Sequence, residues 1–433
     1  MGQDTTAYDE VLKTVYEKGI VDALNQEQET LNLMKRETEG WSGKEVKFPV
    51  KLKRNFSAAA TAEGGVIHDA GQQEYEDFVI PVKYNHGRIQ LTAAVMKASE
   101  SNKGAFARAL GSEVDGLVED LADYRGRVIF GYGKGVLALV NEADPDGDTT
   151  LLVDSPGGIA GSTNGARFLK PGMYIAFVNP GDGSLRSTAK GRTIQSVAAD
   201  GTSVVIDSAA TMTDVANNDY VVIAHQSGTN VDAISKTTYD KEQMGLSGMV
   251  DTTTYVSTFH GIDRSASPGN YLQSVVIGSV GALSADIMQR AIDTVWQKSR
   301  GKTDCIICEH SVRRAYGIMV ENDRRYSGAD LKNPDAGTRA AMQKDLSFGG
   351  IPIKADKYAP YGTMFGLQSD TFTRWMLCEG EWAKETGAIL RGVSNEDTYE
   401  GIYRIFDNFS CEKGSANWKL TGITANVVVI NLP

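Results

Sequence analysis

Cysteine is scarce in this chain: four residues in 433. That is too few for a disulfide scaffold at this size, and it points to synthesis in a reducing, intracellular compartment. Excess positive charge is also missing. Lys and Arg number 44 against 55 Asp and Glu, a net charge of -11 and a pI near 5.1. Tight, direct binding to DNA or to an anionic membrane needs cations to neutralise phosphates, so both are excluded as primary activities. An acidic wall can still face nucleic acid that it encloses without gripping. No apolar run is long enough to span a bilayer. The N-terminus, MGQDTTAYDEVLKTVYEKG, has acids where a signal peptide needs bases, and no apolar core follows. With the chain beginning at Met1, no N-terminal processing is expected.

Chemistry-bearing constellations are equally thin. The five histidines, His68, His86, His225, His260 and His310, include no pair at i, i+4 and no G-x-S-x-G partner. Cys305-x-x-Cys308 with His310 resembles half of a zinc site, but Cys378 and Cys411 are single and distant. A structural zinc wants four ligands in two close pairs, so buried strand cysteines are the better reading. FGYGKGV (Phe130 to Val136) lacks the Walker spacing and its Lys-Ser/Thr ending, and reads as a helix-terminating turn. Glu113, Asp115, Glu119, Asp120 and Asp123 surround a helix as its solvated or subunit-facing side. The pairs Arg313-Arg314 and Arg324-Arg325 lack an aromatic platform for nucleic acid. No catalytic, cofactor-binding or metal-binding residue is assigned, which points away from an enzyme and toward a structural role.

What is present is architecture. Residues 8 to 34 carry a loose helical pattern, an arm. In EVKFPVKLKRNF, Val46, Phe48, Val50 and Leu52 alternate with polar residues as in a half-buried strand. FVIPVKY answers with Phe78, Ile80, Val82 and Tyr84 on one face. Pro49 and Pro81 on the polar face suit a two-stranded ribbon, and Asn85-His86-Gly87 marks a bulge or bend where the alternation changes phase. More than twenty residues separate the strands, against roughly 2–5 in ordinary hairpins. A lone ribbon is marginal in water, so it must lean on something outside itself. Lysines mark its outgoing strand and acids its return, an asymmetry that suits docking on a neighbour or a solvated face.

Phe106, Leu110, Val114, Leu117, Leu121, Tyr124 and Val128 then predict a helix of more than six turns. From Asp144 to Thr229, short apolar runs separated by Gly, Asn and Asp turns predict an inserted β-sandwich or small barrel. Ser284 is a good N-cap for a second helix, with a Leu283–Met288 staple and Gly301 at its end. Strand TDCIICE, helix SVRRAYGIMV and further short strands make the remainder mixed α+β.

Arm, long hairpin, long helix, inserted β-domain and α+β domain, in that order, resemble the major capsid proteins of tailed bacteriophages with the Hong Kong 97-type fold. KFPVKLKRNFSAAATAEGG to YNHGRIQLT resembles the extended loop, and GAFARALGSEVDGLVEDLADYRGRVIFGYG the spine helix. FHGIDRS, TDCIICEHSVRRAYGIMVENDRR and LSFGGIPIKADKYAPYGTMFGL resemble the return strand and axial domain. The resemblance implies an arm at 1–43, the extended loop at 44–97, spine helix and peripheral domain at 98–143, and the insert at 144–229. It further implies a peripheral return at 230–281, an axial domain at 282–402 and, at 403–433, C-terminal strands returning to the peripheral domain. It implies self-assembly of pentamers and hexamers into an icosahedral virion shell around double-stranded DNA, built in the host bacterial cytoplasm without membrane. The partners implied are further copies of the chain, a portal protein, a separate scaffolding protein and a decoration protein. Subunit contacts are expected at Lys51, Lys53, Arg54, Phe56, Ala59, Gly64, Gly65 and Glu74. Lys51 and Lys53 match no motif for covalent cross-linking. An encapsulin-like compartment and a carbohydrate-binding virion protein are the alternatives.

Overall fold

The computed structural model describes residues 30–55, 57–94, 103–143, 145, 147–186, 191–207, 212–227, 230–323, 346–384, 390–393, 396–425 and 427. Most of the arm expected before residue 34 lies outside them. The class is α+β, as the sequence predicts. Strands β1 (Glu45–Lys53) and β2 (Glu74–Pro81) form the long hairpin, in register from Glu45 opposite Pro81 to Lys51 opposite Tyr75, with the register shifting before Lys53 meets Glu74. Val46 and Leu52 are buried and Phe48 and Val50 half-buried, the alternation expected. Strand β3 (Lys83–Thr92) leaves for a different sheet. It pairs without any register shift, so there is no bulge at Asn85 to Gly87. The phase changes instead at Val82, where the chain passes between sheets. Tyr84 accordingly turns to the outer face and is 47% exposed rather than sharing the face of Phe78 and Ile80.

Helix α1 (Lys103–Phe130) follows. Val114, Leu121 and Val128 are buried along its predicted stripe. Two glycines permit its close packing: a Cβ on Gly87 would meet Leu117 at 2.5 Å, and one on Gly126 would meet the Tyr358 ring at 2.2 Å.

The inserted domain is larger than the turn pattern predicts. Its strands are β4 (Val136–Val140), β5 (Thr150–Asp154), β6 (Tyr174–Val178), β7 (Arg192–Val197), β8 (Ser203–Ile206), β9 (Tyr220–Ser227) and β10 (Asn230–Thr237). The order is β10-β9-β4-β5-β8-β7-β6, and β6 also pairs with β9, closing a six-stranded barrel around Leu137, Leu151, Phe177, Ile194 and Val204. The boundaries expected at 144 and 229 therefore move outward to 136 and 237. The uninterrupted apolar run VLALV, placed within the 98–143 segment without a strand of its own, is a barrel strand paired on both sides.

The axial domain is a six-stranded sheet. It is built from β11 (Val275–Ile277), β12 (Cys305–Cys308), β13 (Ile351–Ala355), β14 (Met364–Leu367), the later strand Trp418–Leu420 and the short Ser347–Phe348. Helices α2 (Ala285–Ser299) and α3 (His310–Asp323) cover it. Ser284 caps α2 by accepting the Ile287 N–H at 3.3 Å. The left-handed residue that ends α2 is Arg300 (φ 55°), not Gly301; Gly301 is needed because a Cβ there would meet Ala416 at 2.8 Å.

The peripheral sheet is centred on β16 (Thr398–Cys411), flanked by β3 on one side and by β15 (Phe372–Trp382) on the other, with Lys35–Glu37 added in parallel to β15. Residues 372–402, expected in the axial domain, thus belong largely here. Conversely β17 (Trp418–Leu420), expected to return here, sits between β11 and β14 in the axial sheet. The indole of Trp418 draws it there, filling space that a side chain on Gly366 would occupy. Among the described residues no helix is long and apolar enough to cross a membrane.

Candidate subunit-docking surface

The hairpin divides into a locked root and a bare tip. At the root, Val46, Phe78 and Ile80 are at most 1% exposed. The Phe48 ring lies 5.5 Å from Trp375, and Phe78 lies 5.6 Å from both Phe48 and Phe259. The external support expected for the ribbon is therefore supplied, over the root, by its own chain. His260 is the pin. It adopts a left-handed backbone (φ 48°) in the turn between Phe259 and Ile262, and its carbonyl accepts the Val79 N–H at 2.9 Å. Its ring packs 4.3 Å from Phe259, and Nε2 lies 3.1 Å from the Phe409 carbonyl, which only an Nε2–H can satisfy. Burial drives its pKa down to about 3, with Arg264 and Lys83 adding to the fall against the raising effect of the Phe409 carbonyl.

Among the described residues of the tip, 54 to 73, there is no strand. A single turn, with Gly65 N–H donating to the Ala62 carbonyl at 2.9 Å and Gly64 at φ 74°, shapes its end. Of the residues expected to meet a neighbour, Lys51 stands opposite Tyr75, and Lys53 lies 3.7 Å from Glu74 across the last rung of the ladder. Arg54, Ala59, Gly64 and Gly65 are exposed in the tip, and Phe56 lies outside the described residues. Sequence reasoning passed over two stronger candidates. Val66 and Ile67 are 93% and 82% exposed, the most open of the large apolar side chains among the described residues. Their signal was two adjacent β-branched residues in an otherwise small and polar stretch.

A second constellation ties the domains together. Asp407, on β16 and fully buried, accepts from Arg125 of α1 (2.7 Å), Arg374 of β15 (2.8 Å) and Gln243 (2.8 Å). Burial would raise its pKa, but the two guanidiniums hold it far below the usual carboxylate range. Asp123, on α1, accepts from Lys170 of the barrel at 3.1 Å, from Lys357 at 3.4 Å and from the Tyr358 hydroxyl. Arg167, buried between barrel and axial domain, donates to the carbonyls of Ala359 (2.9 Å) and Lys357 and lies 4.2 Å over the Tyr361 ring. Asn164 adds a bond to the Tyr361 hydroxyl at 3.2 Å. The barrel thus clamps the turn at 357–361 against α1.

The remaining motifs lie within the frame of the fold. Cys305 and Cys308 are buried in β12, and burial pushes the Cys308 thiol pKa well up. FGYGKGV closes α1 through Gly133 and Gly135, both at positive φ. Among the described residues no group of three or more His, Cys, Asp or Glu side chains is placed to hold a metal ion.

Over nearly its whole length, the chain is similar to solved capsid structures. Against a chain of the cyanophage A-1(L) capsid asymmetric unit the identity is 10%, the coverage 92% of this chain and 93% of that one, and the TM-score 0.49. Against the capsid of Myoviridae phage XM1 the values are 11%, 91%, 91% and 0.42. Against the capsid of an empty GTA particle they are 8%, 93%, 89% and 0.44. All three are capsids. No protein-family model matches the sequence, and no curated protein matches it.

Proposed function

We propose that the chain is a major capsid protein of the Hong Kong 97 type, a structural subunit and not an enzyme. In this reading it assembles as pentamers and hexamers into an icosahedral shell around double-stranded DNA. The observation that carries the reading is the hairpin: a root fixed by His260 and a cage of aromatic rings, and a tip with two bare apolar side chains and, among the described residues, no packing over them. A domain that folded for itself would leave such a tip no purpose. Heterologous contacts of this kind close into rings, and modest contacts repeated around a ring become strong through multivalency. Permanent assemblies often bury more than ~2,000 Å² per interface. The acidic composition suits a wall that encloses phosphates without holding them. Portal, scaffolding and decoration proteins are the partners such a shell would take.

Electron microscopy of the expressed protein tests the reading, with closed shells expected and a persistent monomer or trimer refuting it. Deletion of Ser57 to Gln73 should leave a folded, soluble subunit that forms no normal shells. Normal particles from that deletion would remove the tip from the mechanism.

A further inference from the structure

Three lysines converge where the hairpin's exit passes the neck of the barrel. Lys83, the first residue of β3, donates from Nζ to the Asp240 carbonyl at 2.8 Å. Lys134, between α1 and β4, lies 3.4 Å from the Asp240 carboxylate, and Lys241 is the next residue along the chain. Asp240 is itself exposed, in a left-handed conformation (φ 58°). Its carboxylate keeps its charge and matches one of the three cations. The nearby Glu242 is buried and taken by Arg127, and His260, which feels the Lys83 charge, is neutral. Among the described residues the cluster therefore holds a positive balance on an acidic chain. Even with Lys83 as the free amine, two ammonium charges face one carboxylate.

Lys83 differs from its two companions in its setting. The chain is fixed at its base, because Val82 is buried and its N–H donates to the Lys44 carbonyl at 2.9 Å. Lys83 is half-buried whereas Lys241 is exposed. Withdrawal from water and the approach of like charges both favour the neutral form of an amine. Burial accordingly pushes the Lys83 pKa below the ordinary lysine value; Asp240 opposes the fall, Lys241 and Lys134 deepen it, and Glu242 opposes it. A lysine that is desolvated or set beside other cations is an activated nucleophile. Its bond to the Asp240 carbonyl occupies one N–H and leaves the lone pair of the free amine available.

We propose that Lys83 is a modification site, acylated by small anionic acyl donors of the acyl phosphate class, with Lys134 and Lys241 drawing in the phosphate. The amine lone pair attacks the acyl carbon and the N–C bond forms. The C–O bond to phosphate breaks, phosphate leaves with that electron pair, and the proton shed by nitrogen passes to water. The product is a neutral amide that keeps one N–H for the Asp240 carbonyl and removes one charge from the junction of hairpin and barrel.

The test uses the full chain as unassembled subunits, with acetyl phosphate at neutral pH as the probe and peptide mass spectrometry to follow each lysine. Lys83 should be acetylated ahead of the exposed Lys51; a Lys83 rate no greater than that of Lys51 would overturn the proposal. Lys134→Gln combined with Lys241→Gln should slow the Lys83 reaction roughly two- to fivefold, the scale of a partly exposed charge interaction. Lys134→Arg combined with Lys241→Arg should hold the original rate. An unchanged rate in the glutamine variant, or an equal fall in the arginine variant, would show that the flanking charges do not recruit the donor and would refute the site. With uncharged p-nitrophenyl acetate the lead of Lys83 over Lys51 should shrink, and an equal lead with both donors would remove the anion from the proposal and overturn it. None of these readouts depends on whether shells form.

Discussion

Acid should loosen the hairpin root, and His260 sets the pH at which it does so. The imidazole is neutral in the fold, with a pKa of about 3, whereas in the unfolded chain it titrates near 6.5. A depressed folded pKa means that the unfolded state binds the proton first, so the associated stability is complete above 6.5 and is lost as pH falls toward 3. At 1.36 kcal/mol per pH unit the loss is about 2.7 kcal/mol at pH 4.5 and approaches about 4.8 kcal/mol at the acid limit. Asp407, held far below the usual carboxylate range by its two guanidiniums, titrates below the window from 6.5 to 4.5. His260→Gln keeps a donor for the Phe409 carbonyl but cannot titrate. It should be less stable than the natural protein at pH 7.5, by about 1–2 kcal/mol for the lost ring packing, and should show a flatter decline toward pH 4.5. Urea midpoints at half-unit pH intervals measure both curves, and exchange of the Val79 amide, bonded to the His260 carbonyl, reports the root directly. Parallel curves for the two proteins would refute the reasoning, since another group would then carry the acid response.

Three further outcomes follow from the same structure. Asp407→Asn leaves Arg125 and Arg374 facing each other without a carboxylate, and should cost about 3–5 kcal/mol in urea denaturation. Arg167→Ala strips the Ala359 and Lys357 carbonyls of a charged donor; a loss of about 2–4 kcal/mol should be accompanied by faster proteolysis between barrel and axial domain. Ser at both Val66 and Ile67 should change subunit stability by less than about 0.5 kcal/mol, because neither side chain is buried, yet should lower shell yield in light scattering.

Periodicity made the local elements legible. The hairpin face of Val46 to Leu52 and the stripe of Val114, Leu121 and Val128 were readable because period and burial agree. Where the chain changes sheets, periodicity misleads: Tyr84 continues the numbering of Phe78 and Ile80 but lies beyond the crossover at Val82. VLALV, buried on both faces, offers no alternation to read, so the barrel's first strand was missed. The junction was hidden for another reason. Arg125, Asp407, Arg167 and Asp123 are ordinary charged residues in sequence, and only contacts across up to 282 positions turn them into fasteners. The anchoring role of His260 was equally invisible, since a lone histidine between Phe259 and Gly261 carries no pattern.

The barrel's two connections to the rest of the chain run side by side. Asp240 N–H donates to the Lys134 carbonyl at 3.1 Å, and a Cβ on Gly135 would strike the Thr238 carbonyl oxygen at 2.5 Å. About a hundred residues therefore leave and re-enter through one narrow doorway. A doorway of that kind lets a lineage exchange one domain for another without disturbing the frame, and it marks the Lys134–Asp240 junction as a natural port for grafting foreign domains. Removal without replacement is a different matter, because Arg167 and Lys170 would leave with the barrel and the turn they hold would lose its clamp.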